Sequence, residues 1–353
     1  MKCCYVWVLC GLILRMRIRC VEAASVHLHA TNSSAAPAAA THKLKQLVSH
    51  VDDSTNRKHY HRHGLTHSNV TSSDSCGVLE GGVVRPFKIL MAFGESYFPV
   101  FLNWLLFYRR SCSDLSHLYT LCFDHKTDVL LSRLGLNCSF VHPISTASPS
   151  QVWPARNLEV KKILQAGFDV FESDADALWL KNPFPLIAKH PESVFIASRG
   201  SHPPEISKKY GAAICMGFVY IKTCDFTKHM WEHLLPKIEA NPSNGDQKPV
   251  NTYFEAHHPL QYDRKLTYVD SKTPDTGTFQ FNNHALKLTL LAHHDVVRIC
   301  DSDEVVRNAV VTHCLSAKNG EDKHVVASKF HLWQLSSDWE KTLPSLFNIS
   351  SSQ

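Results

Sequence analysis

The chain has 353 residues, of which 44% are hydrophobic and 20% are charged, and its formal net charge at pH 7 is +5. A chain of this length and apolar content can bury the core of one large domain or two ordinary domains. The positive charge is spread along the sequence instead of forming a basic block with interleaved aromatic residues, which argues against a nucleic-acid-binding protein.

The first 24 residues are predicted to be a secretory leader. The apolar run Cys3–Leu14 has the length of a signal-peptide core and is shorter than the roughly 20 residues that span a bilayer. Val21 and Ala23 offer small residues for cleavage, although three arginines lie between them and the apolar run. These arginines outnumber Lys2 on the other flank, which argues against a simple anchor with a cytoplasmic N-terminus. A cleaved signal peptide and an uncleaved signal anchor both remain open, and a cytosolic protein is the less favoured alternative.

Residues 25–85 form a polar segment that is rich in Ala, Ser, Thr and His. Such a segment cannot bury enough apolar surface to offset the entropy that is lost on ordering, so a flexible stem is predicted. His59, His61 and His63 alternate within it and could bind a transition metal, but a solvated linker is favoured because the segment gives them no fixed geometry. The remainder, residues 86–345, is predicted to be a single folded domain.

The cysteines and glycosylation sequons agree with a secretory route. None of the eight cysteines that follow the leader forms a Cys-x-x-Cys pair, so disulfides in an oxidising lumen are expected and a zinc site is not. These cysteines are Cys76, Cys112, Cys122, Cys138, Cys215, Cys224, Cys300 and Cys314. Asn-x-Ser/Thr sequons begin at Asn32, Asn69, Asn137 and Asn348. The predicted location is the Golgi or ER lumen, where the protein would be held by a membrane anchor. A secreted protein is the alternative.

Strand and helix patterns alternate through the first half of the domain. Apolar runs bounded by turn residues predict strands at Phe87–Phe93, His117–Phe123, Cys138–His142 and Phe168–Phe171. Helical periodicity predicts helices at Tyr97–Arg110, Lys126–Leu134 and Trp153–Gln165. This alternation is typical of a mostly parallel sheet with right-handed crossovers.

The alternation loosens in the second half, although the fold class remains α/β. Strands are predicted at Ser193–Ser198, Ala213–Ile221, Leu266–Val269, Ala285–Leu291 and Ala309–Thr312, and Asp225–Glu239 is the clearest helix. No Gly-x-Gly-x-x-Gly loop follows the first strand, where Gly94–Ser96 stands instead, so a dinucleotide-binding enzyme is disfavoured.

Two carboxylates end the fourth predicted strand. Asp174 and Asp176 are separated by one small residue where the chain leaves the strand, so both can turn toward one hard cation that would hold a diphosphate. Hydrogen-bonded turn residues are the alternative, because Asp is common in turns. The metal site is supported by the position of the pair, since catalytic groups of open α/β sheets gather at strand ends.

The residues around this pair resemble the nucleotide-diphospho-sugar transferase family, which includes plant arabinosyl- and xylosyltransferases. The resemblance is carried by Phe171–Phe184, which reads Phe-Glu-Ser-Asp-Ala-Asp-Ala-Leu-Trp-Leu-Lys-Asn-Pro-Phe, and it extends from about residue 87 to about residue 323. Further segments fit the family in the same order, namely Arg156–Leu164, Met216–Tyr220, Gly245–Gln247, and Thr312–Cys314 followed by Lys318.

The resemblance implies a GT-A fold, in which a Rossmann-like, mostly parallel sheet flanked by helices is followed by a mixed second half. It implies a metal-dependent glycosyltransferase that moves a sugar from a nucleoside-diphosphate sugar, expected to be UDP-linked, to a glycan or glycoprotein acceptor. Residues 86–345 would be the catalytic domain, and transfer would retain the anomeric configuration. A mildly basic enzyme would suit an anionic sugar nucleotide.

The resemblance also implies a set of metal ligands. Asp174, Asp176 and His313 would hold the metal, and Asp174 would be shared with the ribose. The metal would neutralise the charge of the departing diphosphate without consuming a proton. Mixed carboxylate and imidazole ligation suits Mn²⁺ better than Mg²⁺, so Mn²⁺ or another divalent cation is expected. The alternative for His313 is an ordinary strand-end histidine, one of 23 histidines in the chain.

Basic residues are the candidates for donor binding. Lys318 would reach the diphosphate, with Lys323 as an alternative that the spacing does not exclude. Arg156 and Lys161 lie five positions apart in one predicted helix and would contact phosphate or base. The alternative for each of them is a solvated position on the flank of the helix.

Asp246 and Gln247 are the candidates that would face the sugar ring. Asp246 is placed as the catalytic residue, because it could bind hydroxyls or stabilise positive charge at the anomeric carbon. A helix N-cap is the alternative for this aspartate. A covalent intermediate on a carboxylate and a same-face substitution through an ion pair are both compatible with the sequence.

Two other classes of protein remain as alternatives. A phosphohydrolase of the haloacid-dehalogenase type also carries Asp-x-Asp after a strand, but Leu178 stands where such an enzyme has Thr or Val. A catalytically silent, lectin-like or scaffold protein of the secretory pathway could be built on a transferase fold, although all the expected ligands are present.

Overall fold

The computed structural model describes residues 77, 79–80, 83–112, 114–141, 149–269, 271–314 and 320–346. All of them belong to one unit of the chain, Ser68–Gln353. The predicted leader, the predicted stem up to residue 76 and Lys318 lie outside the described residues. In the part of the chain that is described, no helix has the length and apolar character needed to cross a membrane.

Strands and helices alternate along the described chain. The strands are β1 (Leu79–Glu80), β2 (Val83–Val84), β3 (Phe87–Phe93), β4 (Leu118–Cys122), β5 (Cys138–Phe140), β6 (Asp169–Ser173), β7 (Leu178–Trp179), β8 (Ser193–Gly200), β9 (Ala213–Ile221), β10 (Asp275–Phe281), β11 (His284–Leu290), β12 (Val296–Val297) and β13 (Val311–Thr312). The helices are α1 (Phe98–Ser111), α2 (His125–Arg133), α3 (Pro149–Gln165), α4 (Phe184–Ala188), α5 (Pro204–Tyr210), α6 (Asp225–Ala240), α7 (Gln247–His257), α8 (Asp303–Asn308), α9 (Gly320–Lys329) and α10 (Trp339–Leu346).

An eight-stranded sheet with the order β10-β11-β8-β9-β6-β3-β4-β5 organises the domain. The four strands of the first half, β6, β3, β4 and β5, pair in parallel. In the second half, β9 runs antiparallel to both β6 and β8, while the antiparallel hairpin β10–β11 joins β8 through a parallel pairing. The α/β class, with a mostly parallel first half and a mixed second half, is therefore confirmed.

The core lies on both faces of this sheet. Side chains of a strand alternate between the two faces, so on β6 Val170 packs into one apolar cluster and Phe171 into the other. Trp104 and Trp179 are fully buried beside Phe171, and Trp231 is fully buried on the opposite face. Burial on both faces explains why the central strands read as continuous apolar runs.

One predicted strand is wrong, and β10 is the longest of the strands that were not predicted. Leu266–Val269 is irregular and forms no strand. Its apolar character reflects one buried residue, Leu266, whose backbone N–H donates to the carbonyl of Tyr210 at 2.9 Å. The strand of this region is β10, whose alternation of polar and apolar residues escaped the apolar-run criterion. It turns into β11 through Asn282 and Asn283, which both adopt positive φ angles of 47° and 63°, as a tight hairpin requires.

A second, three-stranded sheet forms beside the exit of β6. Its order is β12-β13-β7, with β7 directly downstream of Asp176. Val311 and Thr312 of β13 pair antiparallel with Trp179 and Leu178 of β7. This pairing returns the end of the domain to the acidic strand and brings His313 next to it.

Disulfides are present in the described residues, as the cysteine pattern predicts. Cys122 at the end of β4 is joined to Cys138 at the start of β5, and Cys300 is joined to Cys314. Cys112 is also disulfide-bonded. Cys215 and Cys224 are free thiols, and Cys215 is buried.

Candidate functional site

The two predicted acidic residues lie in a turn at the carboxyl end of β6. The backbone N–H of Asp174 donates to the carbonyl of Gly217 on β9 at 2.9 Å, and the N–H of Ala177 closes the turn on the carbonyl of Asp174 at 3.0 Å. The side chain of Asp174 is 29% exposed and that of Asp176 is 13% exposed. The chain therefore leaves the sheet with both carboxylates at its edge, where neither is lost in the core.

His313 faces both carboxylates. Its backbone N–H donates to the carbonyl of Val297 at 2.8 Å, which fixes the residue at the end of β13. Its Nε2 lies 3.5 Å from Oδ2 of Asp174 and 3.4 Å from Oδ1 of Asp176. The potential ligand atoms of these three residues all lie within 4.8 Å of one another. Two carboxylate oxygens and one imidazole nitrogen thus converge at the end of β6.

Gly217 keeps the space beside this cluster open. A Cβ atom built on this glycine would lie 2.0 Å from Cε1 of His313 and 2.6 Å from Oδ2 of Asp174. No real Cβ tolerates such contacts, so any side chain here would displace the imidazole and the carboxylate. The donor set suits a divalent transition metal such as Mn²⁺, and the glycine leaves it accessible.

A buried arginine connects Asp174 with two further carboxylates. Arg156 of α3 is 4% exposed, and its Nη1 donates to Oδ1 of Asp174 at 2.8 Å. Its Nη2 donates to Oδ2 of Asp246 at 2.5 Å and lies 2.8 Å from Oε1 of Glu172. The guanidinium also lies 4.4 Å from the ring centroid of Trp153. Arg156 therefore orients Asp174 so that its other oxygen faces His313.

The electrostatics of this cluster follow from its burial. Burial disfavours the charged form of Arg156, but the carboxylates of Asp246, Glu172 and Asp174 outweigh this effect and raise the pKa of the guanidinium. Burial also raises the pKa of Glu172 well above its ordinary value, with Arg156 opposing the shift and Asp246 and Asp174 adding to it. Burial therefore favours the neutral form of Glu172, while its contact with Arg156 at 2.8 Å favours the charged form.

Asp246 and Gln247 lie at the start of α7 and face β9 and α3. Asp246 occupies the N-cap position, yet its side chain makes no capping hydrogen bond and is held instead by Arg156. Nδ2 of Asn157 also lies 3.3 Å from Oδ2 of Asp246. Gln247 accepts a hydrogen bond from the N–H of Met216 at 3.3 Å. Asp246 is therefore the N-cap residue of α7 by position, but its carboxylate belongs to the arginine cluster and does not cap the helix.

Asp176 is surrounded by cationic groups of the chain. Nζ of Lys323 lies 2.5 Å from its Oδ2. Burial would raise the pKa of Asp176, but His313 and Lys323 outweigh it and lower the pKa strongly. For His313, burial and Arg298 lower the pKa, and the carboxylate of Asp176 outweighs both, so the net shift is upward. Asp176 is thus a carboxylate under all ordinary conditions.

Arg298 also contacts the imidazole of His313, with its Nη1 atom 3.1 Å from Nε2. Its Nη1 hydrogen-bonds to the Nδ1 atom of the imidazole, and its backbone N–H donates to Nε2 of His293 at 3.3 Å. The same guanidinium acts on Cys215: burial would raise the pKa of this thiol, but Arg298 and His313 outweigh it and lower the pKa to about 7. Arg298 is therefore a third cation of the site, beside Arg156 and Lys323.

The remaining predicted residues do not join the cluster in the described structure. Lys161 is half-buried on α3, five positions from Arg156, and none of its contacts links it to the acidic residues. Lys318 lies outside the described residues. Of the two lysines between which the spacing did not choose, Lys323 contacts Asp176.

Two residues of the site, Glu172 and Arg298, were missed by sequence reasoning. Glu172 had a signal, since it stands two residues before Asp174 and side chains at i and i+2 of a strand point to the same face. Arg298 had none, because it follows a two-residue strand whose position depends on pairing with β13.

A cavity adjoins the cluster on the side of Asp176. It encloses about 360 Å³, part of which is open to solvent. Asp176 and Lys323 line it, together with apolar side chains that include Val100, Leu178 and Trp333. Asp176 of the acidic cluster and Lys323 thus face a concave surface whose other walls are largely apolar.

Comparison with known sequences identifies the chemistry to which this arrangement belongs. Residues 113–324, more than half of the chain, match the family model of the nucleotide-diphospho-sugar transferases. The chain is also 21% identical to UDP-D-xylose:L-fucose alpha-1,3-D-xylosyltransferase 3 of Arabidopsis thaliana, in a match that covers 55% of this chain and 56% of that protein. It therefore spans little more than half the length of this curated relative.

Solved structures with a similar chain trace are glycosyltransferases. The glycosyltransferase GlyE of Streptococcus pneumoniae TIGR4 is 17% identical, covering 49% of this chain and 44% of its own, with a TM-score of 0.34. Mouse xyloside xylosyltransferase 1 in its apo form is 13% identical, covering 65% of this chain and 97% of its own, with a TM-score of 0.38.

Proposed function

Because the chain belongs to the nucleotide-diphospho-sugar transferase family, we propose that it is a metal-dependent glycosyltransferase that moves a sugar from a nucleoside-diphosphate sugar to a glycan or glycoprotein acceptor. The observation that carries this proposal is the convergence of Asp174, Asp176 and His313 beside Gly217. A UDP-linked donor is proposed because the Arabidopsis relative is named for one. The family match decides against the phosphohydrolase alternative.

Asp174, Asp176 and His313 would hold the metal, and Mn²⁺ is the ion that their mixture of oxygen and nitrogen donors fits best. When bound, a divalent cation neutralises the charge that develops on a departing diphosphate. Arg156 fixes the carboxylate of Asp174 by a hydrogen bond of 2.8 Å, which holds its second oxygen toward the other ligands. The fit rests on the donor set and on the space that Gly217 leaves.

Basic side chains around the cluster would bind the donor. Arg156 is already committed to three carboxylates, so its contribution is to position Asp174 for the metal and the ribose. Lys318 or Lys323 would bind the diphosphate, and Lys323 is the one within the described residues that reaches the site. Lys161 remains a proposed contact for phosphate or base.

Asp246 would be the catalytic carboxylate and Gln247 its neighbour at the sugar. Asp246 is 3% exposed and hydrogen-bonded to Arg156, so it is held as an oriented anion that can stabilise positive charge at the anomeric carbon. Transfer is proposed to retain the anomeric configuration, as the resemblance to the family implies. The Nε2 atom of Gln247 donates a hydrogen bond to the carbonyl of His202 at 2.6 Å, and this bond lies at the exposed surface.

The proposed location is the lumen of the Golgi or ER. The apolar leader, the sequons and the disulfides of the described domain support a secretory route, because such bonds persist in oxidising compartments. The leader would act either as a cleaved signal peptide of a secreted protein or as a single-span anchor.

Thermal unfolding of the full chain with nucleoside diphosphates, each with and without Mn²⁺, tests the proposal. A ligand that binds only the folded state at a hundredfold excess over its Kd adds about 2.7 kcal/mol of stability. We expect stabilisation only when UDP and Mn²⁺ are both present. Asp176→Asn should abolish it, whereas the exposed Asp263→Asn, with the same charge change, should retain it.

Two results would contradict parts of this proposal. Nucleotide binding that persists in Asp176→Asn, or that needs no metal, would overturn the metal assignment. Metal-dependent UDP binding without release of UDP from any UDP-sugar, across a panel of donors and acceptors, would favour the catalytically silent binding protein.

A further inference from the structure

Every ligand group of the proposed metal site has a cationic partner from the chain itself. Lys323 lies 2.5 Å from Oδ2 of Asp176, Arg156 donates to Oδ1 of Asp174, and Arg298 hydrogen-bonds to His313. The two carboxylates are therefore already neutralised among the described residues. A divalent cation that enters this site meets three positive charges as well as its ligands.

Lys323 is the one of these cations that can leave easily. Arg156 is 4% exposed and is held by three carboxylates, and the backbone of Arg298 is tied to His293. Lys323, in contrast, belongs to the first turn of α9, and its only ion pair in the described structure is with Asp176. Its side chain is 16% exposed and lines the cavity beside Asp176, which is partly open to solvent, so the ammonium has a solvent-facing path away from the carboxylate.

We propose that Lys323 is a built-in counter-ion of the metal site, which neutralises Asp176 while no metal is bound and is displaced when metal and nucleoside diphosphate bind together. This inference rests on the proposed function and deepens it. An ammonium in contact with Asp176 opposes a divalent cation by like-charge repulsion and by occupying one carboxylate oxygen. A diphosphate offers the displaced ammonium a new anionic partner.

The consequence is coupling between the two ligands. Metal alone binds weakly, because its binding displaces the Lys323 ammonium from Asp176 and leaves that charge without an anionic partner. Metal and a nucleoside diphosphate together bind with a more favourable free energy than the sum of their separate binding free energies, because the displaced Lys323 pairs with the diphosphate. Such coupling is reciprocal, so the metal raises nucleotide affinity by the same factor.

The inference is tested by calorimetric titration of the full chain with Mn²⁺ alone. Lys323→Met removes the charge but keeps the length of an apolar side chain among the apolar walls of the cavity. We expect it to bind Mn²⁺ at least about fivefold more tightly than the natural chain, the lower end of typical coupling between sites. Lys329→Met is the matched control, because it removes the same charge from an exposed position of the same helix and should bind like the natural chain.

Two further measurements separate a counter-ion from a structural ion pair. Lys323→Arg keeps the charge and should retain the weak Mn²⁺ affinity of the natural chain. The factor by which Mn²⁺ raises the affinity for UDP should fall in Lys323→Met and persist in Lys323→Arg. Thermal unfolding of each variant without ligand confirms that all are folded.

The outcomes distinguish this inference from the proposed function. If Mn²⁺ binds the natural chain through Asp176 but Lys323→Met binds it no more tightly, the counter-ion role is overturned and the metal site stands. If neither protein binds Mn²⁺, with or without UDP, the proposed metal site fails and the counter-ion role fails with it.

Discussion

The carboxylates at the two ends of β6 have different surroundings, since Asp169 is fully buried and Asp174 is partly exposed. At its start, Asp169 is fully buried and its oxygens are saturated, since Arg85 binds both of them at 2.6 and 2.9 Å. Tyr220 donates its hydroxyl to one oxygen, and the backbone N–H of Thr223 donates to the other at 2.7 Å. At the other end, Asp174 receives Arg156 on one oxygen and keeps the second turned toward His313.

This difference separates a structural carboxylate from one that can bind a ligand. A saturated anion has no remaining lone pair for a cation or a sugar, so its role is to join the strands around it. An anion that is oriented on one side and open on the other is prepared for a ligand. The same strand therefore anchors the sheet at one end and presents chemistry at the other.

The largest effect is expected at the saturated end. Asp169→Ala removes the carboxylate that accepts two hydrogen bonds from Arg85 and one each from Tyr220 and Thr223, which should cost about 3–5 kcal/mol of unfolding free energy. Asp174→Ala should cost much less, because it is partly exposed and Arg156 keeps its other carboxylates. Denaturant unfolding of both variants measures the difference, and similar losses would refute the distinction between the two ends.

Removal of either disulfide should lower stability by a similar amount, but only one should affect the site. The two bonds close loops with sequence separations of 16 for Cys122–Cys138 and 14 for Cys300–Cys314, so each double Cys→Ser change should cost about 3 kcal/mol. Cys300–Cys314 ties the chain next to His313. Titration with Mn²⁺ at a temperature where both variants are folded should show weaker binding only when that bond is removed.

A smaller effect on stability, with a large effect on binding, is expected at Gly217. Gly217→Ala places a methyl group against His313 and Asp174, which should cost about 1–3 kcal/mol and abolish Mn²⁺-dependent binding of UDP. Gly135→Ala is the control, because its φ of +69° makes alanine unfavourable while no atom lies within 4 Å of the added methyl. Retained binding in Gly217→Ala would show that the cluster is not the metal site.

The smallest effect is expected from Arg85→Lys. A lysine preserves the charge opposite Asp169 but not the paired hydrogen bonds, so the loss should be about 1 kcal/mol. Arg156→Lys should be more harmful, because one ammonium cannot bridge Asp174, Asp246 and Glu172 in the same geometry. Thermal unfolding of both variants measures the loss of stability. A larger loss for Arg85→Lys than for Arg156→Lys would contradict this expectation.

Local pattern was sufficient for much of the fold. Strands β3, β6 and β9 and helices α1 and α6 appear within a few residues of their predicted bounds, because each has the period of its structure and is bounded by turn residues. The hairpin β10–β11 was only half predicted. Its first strand is polar on one side, so its burial depends on the neighbour with which it pairs.

The acidic pair could be located from sequence for the same local reason. Asp174 and Asp176 stand at the end of a short apolar strand, and strand ends are where an open sheet presents polar groups. His313 could be named only through a family resemblance. The structure shows why it belongs there, since β13 pairs with the strand that follows Asp176.

The sequence by itself determined most of the long strands and helices, and which strand ends in carboxylates, because both depend on neighbours along the chain. Only the tertiary structure decided that Arg156 meets Asp246 across 90 residues and that Lys323 contacts Asp176. These contacts depend on sheet order, register and helix packing. Such features are set by the sum of many distant apolar contacts, which no local pattern records.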